Sequence, residues 1–83
     1  MNDENINKTI RAFFEKALPG KQIKDEDDIF EKGFVNSLMA MQLVLFVEKE
    51  FGIAVTEADL DIANFRSIAA VTDLVRRKSL PVS

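Results

Sequence analysis

The sequence predicts an all-α fold, a small four-helix bundle of three principal helices and one short helix with a long first loop. Apolar residues recur at helical spacing near both ends of the chain, a central run is apolar at nine of ten positions, and residues that stop helices follow each stretch. Eighty-three residues make one domain, expected over 1–83 with its core at about 3–78 and a frayed tail at 79–83. Chains of this size bury only about 60% of their unfolded surface, too little for two cores.

Helix one is expected from about Asp3 to Ala17, because Ile6, Ile10, Phe13, Phe14 and Ala17 fall on one helical face. Asp3 or Asn2 can cap its start, and Pro19-Gly20 ends it. Residues 19–36 carry no sustained period and read as a loop. In it the acidic cluster Asp25 to Asp28 reads as solvated charge, since the alternating acids of an EF-hand are missing. A loop this long needs anchors. Ile29, Phe30, Phe34 and Val35 are the candidates, each worth about 1.5–3 kcal/mol if buried. Gly33 allows a positive φ where the loop bends.

Helix two is expected from Ser37 to Phe51, with Gln42 the one polar residue between Leu38 and Val47 and Gly52 as its stop. A surface helix needs an apolar stripe only about 100° wide. Leu43, Phe46 or Val47, and Phe51 would supply it, which leaves Leu38, Met41 and Leu45 expected on an exposed side. Thr56-Glu57-Ala58-Asp59 resembles a capping box, so a short helix is expected within 57–64. Ser67 then caps a last helix over 68–78, with Ile68, Val71, Leu74 and Val75 on one face and Arg76-Arg77-Lys78 against its negative end. Pro81 lies in the tail.

Composition narrows the function. The chain has neither cysteine nor histidine, which removes disulfides, thiolate metal sites and the commonest general base, and argues against a self-contained nucleophilic enzyme. Net charge is −3, with pI near 4.8, which opposes binding to nucleic acid or an anionic membrane surface. The start, Met1-Asn2-Asp3-Glu4, is acidic where a signal peptide needs positive charge, and no apolar run is long enough to span a membrane, so a cytoplasmic monomer is expected.

A serine ahead of an apolar helix is by itself most often an N-cap. Here, however, Asp28-x-Phe30-x-x-Gly33-x-x-Asn36-Ser37-Leu38, followed by a helix ending Val47-Glu48-Lys49-Glu50-Phe51-Gly52-Ile53, resembles the acyl, peptidyl and D-alanyl carrier protein superfamily over nearly the whole chain. The resemblance implies a four-helix carrier bundle that bears a covalent 4′-phosphopantetheine, derived from coenzyme A, on Ser37. It also implies a non-catalytic role, with a phosphopantetheinyl transferase, a loading ligase or acyltransferase, and downstream tailoring or synthase enzymes as partners. Asn36 matches the position where most relatives have Asp and keeps a local hydrogen-bonding role without the charge. Gly33 and Ser37 are one residue further apart than in fatty acid and peptidyl carriers. The longer spacing is similar to D-alanyl carriers and to discrete carriers of methoxymalonyl or aminomalonyl extender units.

Few carboxylates line helix two, so partner recognition is expected from Leu38, Met41 and Leu45, with Gln42 and Glu48 beside them. The expected function is a discrete carrier that shuttles a thioester-bound small acyl or aminoacyl unit in polyketide or nonribosomal peptide biosynthesis. The alternatives are a D-alanyl carrier for cell-wall polymers and a non-carrier helical interaction domain in which Ser37 is only a cap.

Overall fold

A computed structural model describes residues 3–79. The expectations for Asn2 and Pro81 lie outside them. The described chain is helical throughout, without strands, in the order α1 (Asp3–Ala17), α2 (Ser37–Phe51), a 3₁₀ turn (Glu57–Asp59), α3 (Ile62–Phe65) and α4 (Ile68–Ser79). Both long helices thus match their expected bounds. The short helix is really two pieces, because Asp61 takes up the cap of α3, its Oδ1 accepting from the Ala63 N–H at 2.9 Å, and so breaks the run.

α1 lies along α4, and the two run antiparallel: Asp3 pairs with Arg76 at 3.5 Å, while Arg11 pairs with Asp25, whose carbonyl accepts from the Ala69 N–H at the start of α4. α3 abuts α4, and α2 touches it more lightly. The core is made by Ile6, Ile10 and Phe14 of α1, Leu43, Val44 and Val47 of α2, Phe65, and Ile68, Val71, Leu74 and Val75 of α4. Ile23, Ile29 and Val35 complete it from the long loop.

Three expectations change. On α2, positions 43, 44 and 47 form the inward face, so Val44 replaces Phe46 and Phe51, which are only half-buried. Phe46 instead stacks on Phe13 with ring centroids 4.9 Å apart at the edge of the core. Ala17 is exposed, because the chain turns away at Pro19-Gly20 and Leu18 makes the apolar contact there.

The acidic cluster is the third. Asp25 pairs with Arg11, Asp27 Oδ2 accepts from the Lys24 N–H at 2.9 Å, and Asp28 Oδ1 accepts from the N–H groups of Phe30 and Glu31 at 3.1 and 2.9 Å. These carboxylates shape the loop that the sequence left as solvated charge. Among the described residues no group of three or more carboxylates could hold a metal ion. The Ile29 N–H donates to the Arg66 carbonyl at 2.8 Å, so the loop is fastened to the turn before α4. Ile29 and Val35 are its buried anchors, and Phe30 and Phe34 are half-buried.

Candidate functional site

The loop delivers the chain to the start of α2 with a defined direction. The Ile29 carbonyl accepts from both Phe34 and Val35, at 3.0 and 3.3 Å, and Gly33 adopts φ 76°, a left-handed geometry that a side chain would strain. Val35 then buries, which leaves Asn36 extended at φ −110° on the surface. Its Oδ1 accepts from the Met39 N–H at 2.9 Å, and its carbonyl accepts from the Ala40 N–H at 2.9 Å. Asn36 is therefore the N-cap of α2. The alternative in which Ser37 is only the cap is corrected by this geometry, because the capping acceptor already stands one residue earlier, at Asn36.

Ser37 is the first helical residue. It is exposed, and its hydroxyl makes no hydrogen bond to any described residue. Nor does any carboxylate occupy the first turn of α2. Backbone N–H groups at a helix start and the positive end of the helix dipole favour an anion, so a phosphate ester on Ser37 fits this position.

The other described serines differ. Ser67 is buried, and its Oγ accepts from the Ala70 N–H at 3.0 Å as the cap of α4. Ser79 closes α4 at its far end.

A groove of about 310 Å³ opens beside Ser37. Phe30, Ala40, Met41 and Val44 line it together with Leu60, Ile62 and Phe65 from the segment after α2. Leu38, Met41 and Leu45 stand outward on α2 at 70, 52 and 61% exposure, opposite the buried face of Leu43, Val44 and Val47. Gln42 is exposed beside them. The sequence reading missed Leu60 and Ile62, which extend this apolar surface at 52 and 54% exposure. The available signal was their position on either side of Asp61, in a segment too short to bury more than Phe65.

Glu48 departs from its expected role. It is half-buried, and its Oε2 accepts from the Val55 N–H at 2.9 Å, tying the return at 53–55 to the end of α2. Gly52, at φ 64°, makes that return and donates its N–H to the Glu48 carbonyl. The carboxylate is thus committed within the fold and does not stand free on the exposed face.

The segment behind the groove is held by charge. Asp59 Oδ2 receives Lys78 Nζ at 2.6 Å and both the N–H and the hydroxyl of Thr56 at 3.0 Å. The Lys78 hydrogen bond first, then the Thr56 backbone, lowers the Asp59 carboxyl from an ordinary 3.8 to about 2. Hydrogen bonds from Arg76 and, after it, Arg77 likewise hold Asp73 below its ordinary range.

A family model for the phosphopantetheine attachment site matches residues 8–75. A search of curated proteins finds no match. The matched span takes in everything from the middle of α1 to the last turns of α4, including the start of α2 and the groove beside it. With an all-helical fold and a family match over well more than half its length, the chain belongs to the phosphopantetheine attachment site family, whose members carry covalent 4′-phosphopantetheine.

Proposed function

We propose that Ser37 is the residue to which 4′-phosphopantetheine is attached, and that the chain is a single, monomeric carrier domain in the cytoplasm. The carrying observation is that Asn36 already caps α2, so the exposed Ser37 hydroxyl has no structural task. Ser37 Oγ would hold the group as a phosphodiester at the positive end of α2. Bound there, the group supplies the thiol that this cysteine-free chain lacks, for carrying a unit as a thioester. The chain itself does no chemistry on that unit. Its task is to present Ser37, through the rigid α2, to a phosphopantetheinyl transferase, to a loading ligase or acyltransferase, and to the enzymes that consume the cargo.

A small acyl or aminoacyl cargo, of the kind used in polyketide or nonribosomal peptide biosynthesis, is supported by size. The 310 Å³ groove stands at the low end of small-molecule sites, which run from about 300 to 1,000 Å³. The interior is taken by close-packed side chains such as Phe14, Leu43 and Leu74, which leaves a long chain no core to enter. Leu38, Met41 and Leu45 are the partner contacts in this reading, with Gln42 at their margin.

Incubation with coenzyme A and a broad phosphopantetheinyl transferase, read by intact mass and peptide mapping, tests the assignment. The wild type gains one phosphopantetheine mass on Ser37, and Ser37→Ala gains none. An unchanged wild-type mass, or a gain that survives in Ser37→Ala, refutes it.

A further inference from the structure

Residues 56–64 contribute nothing to the buried core, yet they supply one wall of the groove beside Ser37 through Leu60 and Ile62. Apart from those inside α3, their backbone hydrogen bonds stay within the segment: Asp59 to Thr56, Leu60 to Glu57, Asp61 to Asp59, and Asn64 to Asp61. Besides the packing of α3 on α4, side-chain chemistry at the last turns of α4 fastens the segment. Lys78 Nζ meets Asp59 Oδ2 at 2.6 Å, and Arg77 Nη2 donates to Asn64 Oδ1 at 3.1 Å. Asn64 Nδ2 in turn donates to the Asp59 carbonyl at 2.9 Å, which links both fasteners to one residue. With side chains 25 and 19% exposed, the Lys78–Asp59 pair is the least solvated ion pair among the described residues, so water and salt screen it least. It joins α4 to the 3₁₀ turn Glu57–Asp59, none of whose residues is buried, whereas α3 beyond that turn, with its buried Phe65, already packs against α4.

We propose that Asp59 and Lys78 are positioning residues for the cargo: their ion pair clasps the Leu60–Ile62 wall in place and so limits solvent access to the unit carried on Ser37. The proposal rests on Ser37 being the attachment residue. The clasp acts at a distance from the thioester, through the segment whose apolar side chains form the groove. A carrier needs its cargo protected in transit and available on docking. A wall whose own apolar side chains, Leu60 and Ile62, are exposed, and whose leading turn is held by a polar clasp, can be held shut alone and shifted by a partner that contacts Leu60 or Ile62.

Two measurements on Lys78→Ala, Asp59→Asn and the conservative Lys78→Arg test it. In the unmodified protein, hydrogen exchange of the amides at 57–64 should rise roughly three- to tenfold in the first two variants, leave residues 40–47 unchanged, and stay near wild type in Lys78→Arg. The proteins are then charged with an acetyl unit and treated with hydroxylamine. Its nitrogen bonds to the acyl carbon as the carbon–sulfur bond breaks, and the thiol leaves with a proton. Release should speed up severalfold in Lys78→Ala and Asp59→Asn and return towards wild type in Lys78→Arg. Unchanged exchange at 57–64 overturns the clasp, as does faster exchange at 40–47, which marks general loosening. Faster exchange at 57–64 with unchanged release overturns the shielding. A wild type that takes up no phosphopantetheine at Ser37 is seen by mass before any variant is compared, and overturns the attachment reading together with the clasp built on it.

Discussion

Asn36 and Ser37 are adjacent, both polar and both exposed, yet the structure assigns them opposite energetic weights. Asn36→Ala removes the acceptor of the Met39 N–H and leaves that group at the start of α2 without a protein partner. Loss of an Asn cap to Ala costs about 0.5–2 kcal/mol. In a domain of this size each kcal/mol moves Tm by about 4–8 °C, so a drop of several degrees is expected. Ser37→Ala removes a hydroxyl that bonds to nothing described and installs the best helix former, so stability should hold or rise by up to about 0.5 kcal/mol. Asn36→Asp keeps the acceptor and adds a negative charge to a first turn that has none, worth about 0.3–1 kcal/mol at low salt. Thermal melts by circular dichroism, run at low and high salt, give all three values, and the gain in Asn36→Asp should shrink with added salt. If Ser37→Ala cost 1 kcal/mol or more while Asn36→Ala cost nothing, Ser37 would be the cap, and the claim that its hydroxyl is free for modification would fail.

Other outcomes follow from burial and charge. Leu43, fully buried, and Leu45, 61% exposed, are neighbours of the same chemistry on α2. Denaturant titration should show Leu43→Ala losing about 2–5 kcal/mol and Leu45→Ala staying within about 0.5 kcal/mol of wild type. Thr72 is 8% exposed, and its Oγ1 has no hydrogen-bond partner among the described residues. Thr72→Val keeps the shape and removes the unpaired hydroxyl, so a gain of about 1 kcal/mol is expected by the same titration.

Asp59 is more acidic in the folded than in the unfolded chain. Its contribution is therefore present in full above the ordinary 3.8 and lost as pH falls towards about 2. In Lys78→Ala the main cause of that shift is gone, so the fall in stability between those two pH values should be shallower than in wild type; an identical slope would remove Lys78 as the cause.

Local chemistry made the helices legible in the sequence. The spacing of Ile6, Ile10 and Phe14 and the Pro19-Gly20 stop act within a few residues of each helix, and they place α1 without reference to anything distant. Gly52 and Ser67 work in the same way, one through a left-handed turn and the other through a hydroxyl that receives the Ala70 N–H. The carrier family could also be read in the sequence, through the resemblance carried by Asp28 to Leu38 together with Val47 to Ile53 over nearly the whole chain.

What local chemistry could not supply was the identity of the neighbours. α2 is apolar nearly all round, so its own periodicity offers several inward faces. The exposed side of Leu38, Met41 and Leu45 was expected from the sequence, but only the placement of the neighbours put Val44, and not Phe46 or Phe51, beside Leu43 and Val47 in the core. Asp25 to Asp28 look alike in sequence, and only the folded loop gave Asp25 an arginine and Asp28 two backbone donors. Glu48 became a fastener for Val55 because Gly52 reverses the chain, and Asp59 became one for Lys78, nineteen residues away. Helices arise from contacts three or four residues apart, which a sequence displays directly. The groove beside Ser37 is bounded by residues that only packing brings together, and the tertiary structure alone decided it.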